Sequence, residues 1–275
     1  MYLKFKKFIN KGFFKFKEIL KKYKSIVKII RFCRGVPRRI RVLKDKIYKL
    51  ISGPGYNSTY KWYDPKILSK SIDTVVAIAF LGRHKILHAV IEEILRTRKT
   101  KFNAYVVLAC SNQKDLKFAK YMQSKYKKVG ITYCDNEPIG NKWQIAILGA
   151  KKLKPKSLVI TGSDDLITFD YLKNNFKILM NDKLELIGMI GPRSWYMLNS
   201  LKNELYKVSY NNKFHLMPLG AGRIYSAAYL DKISWHIFDR HLEKHLDDKG
   251  YYDVINKNLI VYNPTFDDGF VLSIK

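Results

Sequence analysis

Residues 157–172 read SLVITGSDDLITFDYL. A run of branched apolar residues stops at Gly162, and two carboxylates, Asp164 and Asp165, stand side by side just beyond it. Strands buried on both faces read as continuous Val/Ile/Leu runs, so the stretch predicts a core strand that delivers an acidic pair to its carboxyl end. A helix over 168–180 follows, with Thr168 as N-cap and Asp170 in the first turn, where orphan N–H groups and the positive end of the helix dipole favour them.

Outward from this point the same rhythm repeats. DTVVAIAF (73–80), NAYVVLA (103–109) and VGITYC (129–134) read as strands. HKILHAVIEEILRT (84–97), QKDLKFAKYMQSKYK (113–127) and NKWQIAILGAKKL (141–153) carry apolar residues at helical spacing. Strands alternating with helices predict consecutive right-handed crossovers, an α/β fold with a mostly parallel sheet sandwiched by helices. KLELIGMIG (183–191) is a further strand, and the remainder is less regular. Ligands of such sheets sit beyond the carboxyl ends of the strands, so Asp164 and Asp165 face that crevice rather than the core.

Adjacent carboxylates after a parallel strand suit a hard divalent cation. Mg²⁺ or Mn²⁺ takes one or two carboxylates and completes its shell with phosphate and water. A second reading stays open, in which Asp165 only caps orphan N–H groups of a turn.

The flanking segments add a resemblance. AFLGRHKIL (79–87), NEPIGNKWQIAILGA (136–150), GSDD (162–165), PLGAGRIYSAAYLDKISWHIFD (218–239) and LDDKG (246–250), in that order, resemble the nucleotide-sugar-dependent glycosyltransferases of the GT-A fold, in particular family 2-like inverting enzymes. The likeness covers residues 73 to about 260.

It implies a GT-A, Rossmann-like sheet and transfer of a sugar, with inversion, from a nucleotide-linked donor, UDP-linked by expectation, to a hydroxyl on a glycan, glycoprotein or glycolipid, with Mn²⁺ or Mg²⁺ as cofactor. GSDD stands where the family has its Asp-x-Asp motif, which makes Asp164 a metal ligand and Asp165 its neighbour on metal or nucleotide; Gly162 replaces the usual first Asp. The resemblance further assigns Phe80, Gly82 and Arg83 to the loop against the nucleotide, Ser111 and Asn112 to the base, and Lys142 to the nucleotide or its diphosphate.

Gly220 and Gly222 match a loop that admits sugars, with a helix N-terminus expected just beyond it; an ordinary tight turn is the other reading. Asp247, with Asp248 beside it, matches the segment that supplies the catalytic base, or else these residues close a polar helix before Gly250. Trp195 stacks on a sugar ring or belongs to the core. His241, His245 and Asp248 share one helical face, but HLEKH lacks the Glu placement of a zinc-protease helix.

Charge is concentrated at the start of the chain. Residues 1–50 carry 18 Lys and Arg against Glu18 and Asp45, a net of +16 out of the chain's +29. Phe, Ile, Leu, Val and Tyr recur there at three- and four-residue intervals, which predicts a basic amphipathic helical extension over 1–66, its last part the connector SGPGYNSTYKWYDP (52–65). The transferase domain is expected over 67–275.

A helix of this kind lies on an anionic membrane surface, packs on the domain or a second subunit, or holds nucleic acid, the last least favoured because no nucleic-acid motif accompanies it. The rival functions are accordingly a nucleotidyltransferase, or a non-enzymatic protein binding membrane or nucleic acid. AFLGRHKIL is a poor match to the Gly- and Lys/Arg-rich loop of a nucleotidyltransferase.

Three cysteines without CxxC spacing fit a reducing compartment, and Cys110 and Cys134 close strand-like runs as small buried thiols. No signal peptide or run of about 20 apolar residues occurs. The expectation is a cytoplasmic protein, peripheral on a membrane if at all.

Overall fold

The structure, a computed structural model, describes residues 59–96, 100–188, 194–199, 202, 204–209, 222–238, 261–262 and 271–274. The basic extension up to residue 58, Gly220, His241, His245, Asp247 and Asp248 lie outside the described residues. Of Trp195, only the backbone is described.

The predicted repeat is present. Strand β2 (Thr74–Ala79) leads to helix α1 (His84–Leu95), β3 (Ala104–Cys110) to α2 (Gln113–Tyr126), β4 (Val129–Tyr133) to α3 (Ile139–Lys152), and β5 (Ser157–Ile160) follows. These strands pair in parallel in the order β4-β3-β2-β5. The order reverses at β2, whose two neighbours β3 and β5 are entered by crossovers on opposite faces. Between β2 and β5 lies the switch point at which open α/β sheets bind ligands.

Both faces are covered, which explains the unbroken apolar runs. Val76, Ile78, Val106 and Leu108 pack beneath Leu87, Val90, Ile91 and Ile94 of α1 and beneath α2 and α4 (Phe169–Asn181). The alternate residues Val75, Ala77, Tyr105 and Val107 pack against Ala146, Ile147 and Ala150 of α3 and against α5 (Ala227–Lys232). Thr168 caps α4 as predicted, its Oγ1 accepting from Tyr171 N.

Three features were not legible beforehand. Lys61–Tyr63, within the stretch assigned to the connector, form β1, an edge strand antiparallel to β4. Trp62 holds it there: a Cβ placed on Gly130 or Gly149 would come within 2.6 or 2.9 Å of its indole. The two glycines make room for the ring.

Second, Arg223–Ser226 form β10, inserted antiparallel between β5 and β7 (Leu186–Ile187); β11 (Val261–Tyr262) completes an eight-stranded mixed sheet. This corrects the helix N-terminus expected beside the glycine turn. β10 carries the chain to the amino ends of the parallel strands, Ser226 opposite Ser157, before α5 begins.

Third, the acidic turn leads into another sheet. β6 (Asp165–Ile167) pairs with β12 (Val271–Ile274), which continues to β8 (Ser194–Asn199) and β9 (Glu204–Ser209).

Among the described residues no helix is long and apolar enough to cross a membrane. Cys110 and Cys134 are free and buried, and burial pushes their thiols up to about 12 and about 11. Both stay protonated, hence unreactive, at neutral pH. In a Cys33→Ser background a chromogenic disulfide reagent at pH 8 is expected to label neither within minutes, and two thiols once denaturant is added. Rapid native labelling of either would contradict this packing.

Candidate functional site

The loops that follow β2, β3, β4 and β5 meet at the carboxyl edge of the sheet, together with the start of α3. Phe80, Gly82 and Arg83 come from the first loop, Ser111 and Asn112 from the second, Lys142 from α3, and Asp164 with Asp165 from the fourth. Sequence-predicted residues distant along the chain thus come to one edge of the sheet, where Phe80 and Lys142 are buried, 2% and 1% exposed.

The acidic pair is largely buried and held from several sides. Asp164 Oδ2 accepts from Arg83 Nη1 at 2.5 Å, and Arg83 is itself about half exposed. Asp165 Oδ2 accepts from Gly162 N at 3.1 Å, while the Asp165 backbone pairs with Ser273 in the β6–β12 ladder. Both carboxylates fold back over Gly162. A Cβ at that position would lie 2.5 Å from Asp165 Oδ2 and 2.9 Å from Asp164 Oδ1. The lack of a side chain at Gly162 therefore frees the space that the two carboxylates occupy.

Gly82 and Arg83 turn consecutively through the left-handed region, with φ of 65° and 53°, before α1 starts at His84. Such strain in a non-glycine residue persists only where the surroundings hold it. The holder is Asp115, which was not predicted. Its side chain, 1% exposed, accepts from Gly82 N (3.1 Å) and lies 2.6 Å from His84 Nε2 through Oδ1, and accepts from Asn112 Nδ2 (2.8 Å) through Oδ2. Asn112 caps α2 in return, its Oδ1 accepting from Asp115 N at 2.8 Å.

One carboxylate thus ties the loop after β2 to the loop after β3. The sequence did hold a signal: Asn112 followed three residues later by Asp115 is a capping-box spacing. His84 also stacks on Phe118 at 4.5 Å, and Phe80 meets both rings edge-on.

Asn112 is therefore a cap of the loop framework. Lys142 is likewise placed behind the crevice wall: it is 1% exposed and donates to Phe80 O at 2.5 Å and to Asn136 Oδ1 at 2.9 Å. Burial pulls its ammonium below the usual lysine range. It braces the end of β2 against the loop after β4.

Gly222 is buried where β10 begins, donates to Ile160 O at 3.1 Å and accepts from the Tyr171 hydroxyl at 3.0 Å. Arg223 next to it is 2% exposed, paired across the ladder with Ile160 at the carboxyl end of β5. This second buried cation near the acidic turn was also unpredicted. Ser111 Oγ, Asn141 Oδ1 and Thr161 Oγ1 are buried along the same edge without a hydrogen-bond partner. Buried polar atoms are rarely left so unless a ligand or water serves them.

Among the described residues no three His, Cys, Asp or Glu side chains gather as a metal cage. The donor set here is two carboxylates flanked by an arginine. It fits a hard cation shared with phosphate, since Mg²⁺ and Mn²⁺ take few protein carboxylates and complete their shell from substrate and water.

No protein-family model matches the sequence, and no curated protein sequence matches it. Among solved structures, residues 1–349 of S. aureus TarS in complex with UDP superimpose with a TM-score of 0.53 at 15% identity, over 74% of this chain and 61% of that one. The same TarS segment in complex with UDP-GlcNAc gives 0.54 at 16% identity, over 74% and 59%. For S. aureus TarS itself the values are 0.52 and 16%, over 74% of this chain and 37% of that one. The chain spans about three fifths of TarS 1–349. This likeness establishes the fold: a GT-A, Rossmann-like mixed sheet flanked by helices.

Proposed function

We propose that this protein is a glycosyltransferase that binds a nucleotide-sugar, UDP-linked by analogy with the UDP and UDP-GlcNAc complexes of TarS, at the carboxyl edge of its sheet. The observation that carries the reading is the acidic turn: Asp164 and Asp165 converge over Gly162 at the topological switch point, with Arg83 alongside. In this reading the two carboxylates hold Mn²⁺ or Mg²⁺. The bound ion supplies neutralisation of the charge that builds on the departing diphosphate.

The chain's own groups do the rest. Arg83 keeps Asp164 oriented and, being half exposed, turns further N–H donors toward phosphate oxygens. Asp115 and Asn112 hold the nucleotide-facing loops, and Lys142 braces the wall behind them. Ser111 Oγ offers an unsatisfied hydroxyl to the donor. Transfer goes to an acceptor hydroxyl on a glycan or glycoconjugate with inversion. Asp247 or Asp248 takes the hydroxyl proton, and contact with the sugars is assigned to Trp195, Gly220 and Gly222 on the resemblance alone. The basic extension attaches the enzyme to an anionic membrane.

Calorimetric titration of UDP, GDP and ADP into the full chain, each with and without Mn²⁺, tests the reading. UDP is expected to bind, and only with metal. If no nucleoside diphosphate binds under either condition, the transferase reading fails. Co-sedimentation with anionic vesicles, comparing the full chain with one lacking residues 1–52, tests the attachment; equal binding by both would sink it.

A second outcome concerns Gly162. Gly162→Ala forces both carboxylates off their positions, but by displacing only the ends of side chains. Its affinity for UDP in Mn²⁺ is expected to fall about tenfold, roughly 1.4 kcal/mol, with a thermal midpoint lowered by only a few degrees. Unchanged affinity would mean that the carboxylates act independently of their placement.

A further inference from the structure

The opposite end of the sheet carries a second feature that the transferase reading leaves unused. Beneath the amino ends of β2, β3, β4 and β5 lies an open cavity of about 830 Å³. Five lysines line it: Lys101 and Lys128 just before β3 and β4, Lys156 just before β5, and Lys173 and Lys177 on α4. Asp73 is the one carboxylate in the lining. β2 is six residues long, so this site stands on the order of 20 Å from the acidic turn.

The charges are not simply balanced in place. Lys156 is paired with Asp73 at 2.8 Å and Lys173 with Asp170 at 3.1 Å. Lys128 is half-buried, and its hydrogen bond goes to a neutral acceptor, Asn103 Oδ1, at 2.8 Å. Desolvation pulls its ammonium below the usual range, the condition an anionic ligand would relieve. No carboxylate among the described residues is paired with Lys101, Lys128 or Lys177.

One wall of the cavity is aromatic. Phe102 and Phe176 are half-buried with ring centroids 5.4 Å apart, and Lys156 Nζ lies 6.0 Å from the Phe176 ring centre. An ordinary solvated lysine face has neither the concavity nor the aromatic wall. The volume falls within the range of small-ligand sites.

We propose that this cavity binds a small oligophosphate, a ligand with two or more phosphate groups, at a site separate from the carboxyl-edge crevice. Phosphates bridge Lys101, Lys128 and Lys177, as charge-assisted hydrogen bonds require. The aromatic wall takes whatever planar group the ligand carries. The shared chemistry is the phosphate chain; its source is either a nucleoside polyphosphate or inorganic oligophosphate.

The test uses the full chain in EDTA at physiological salt, with calorimetric titration of tripolyphosphate and of ATP. Lys101→Ala/Lys177→Ala is compared with Lys117→Ala/Lys120→Ala, an equal charge change on the exposed side of α2. The cavity pair is expected to lose about tenfold in affinity for tripolyphosphate, the control pair less than twofold. Equal losses in the two pairs, or a comparable loss in Asp164→Ala, overturn the proposal, because the binding then belongs to overall charge or to the other crevice. UDP binding in Mn²⁺ should be unaltered in the cavity pair. ATP binding tighter than tripolyphosphate, with the difference removed by Phe176→Ala, assigns the site to nucleotides; equal binding assigns it to the phosphate chain alone.

Discussion

Asp164→Ala is expected to abolish metal-dependent binding of UDP, with affinity in Mn²⁺ lowered at least about 100-fold, roughly 2.7 kcal/mol. The reason is local. Asp164 is 7% exposed, and its carboxylate is one of the two that face each other over Gly162. Removing it halves the donor set that a cation would find. It also leaves the Arg83 guanidinium without its 2.5 Å partner, so a weak residual binding of UDP that ignores Mn²⁺ should remain.

Folding is expected to suffer little, because Arg83 is half exposed and an ion pair with one solvated member contributes modestly. Asp164→Asn preserves the shape and an acceptor for Arg83 but loses the charge, so it should fail as the alanine variant does. Calorimetry with and without Mn²⁺, paired with a melting curve for each variant, separates these effects. Full metal-dependent binding by Asp164→Ala would move the metal elsewhere and return the acidic turn to a structural role.

Asp115→Ala, in the first turn of α2, should strongly disrupt the loops after β2 and β3. It strips the acceptor from Gly82 N–H and Asn112 Nδ2–H and the partner from His84, three part-buried contacts of a carboxylate that is itself 1% exposed. Leaving a fully buried donor unsatisfied costs about 1–3 kcal/mol; because water reaches these part-buried donors, a combined loss of roughly 2 kcal/mol and a midpoint lower by about 4–8 °C are expected. Since Asp115 maintains the left-handed turn at Gly82 and Arg83, nucleotide affinity should fall even at temperatures where the variant stays folded.

Asp115→Asn keeps one oxygen for Gly82 N–H and should recover part of both properties. A wild-type melting curve for Asp115→Ala would refute the role given to this network. Normal stability with lost UDP binding would instead place Asp115 in direct contact with the ligand.

The two cases differ in how far the sequence announced them. Asp164 stood out because a strand's end and a charged pair are adjacent along the chain. Asp115 lay inside an amphipathic helix pattern, and nothing local says that its partners are Gly82 and His84, some thirty residues earlier. Lys142 shows the same limit. Its position near the crevice followed from the resemblance, yet only packing reveals that the ammonium is buried and braces Phe80 O. Arg83, named for the nucleotide loop, turns out to hold Asp164, a contact spanning 81 residues.

What the sequence determined by itself are the properties written in neighbouring residues. The alternation of buried strand runs and amphipathic helices dictates a parallel sheet covered on both faces, because each run must bury its apolar side. The order of those elements alone places 164–165 at the carboxyl edge. The tertiary structure decided the rest: that Arg223–Ser226 insert antiparallel between β5 and β7, that Lys61–Tyr63 are pinned by Trp62 over two glycines, and that Asp165 opens a second sheet. Each of those depends on pairing between segments tens of residues apart. Such pairing is chosen by the fit of whole surfaces, and local periodicity carries no record of it.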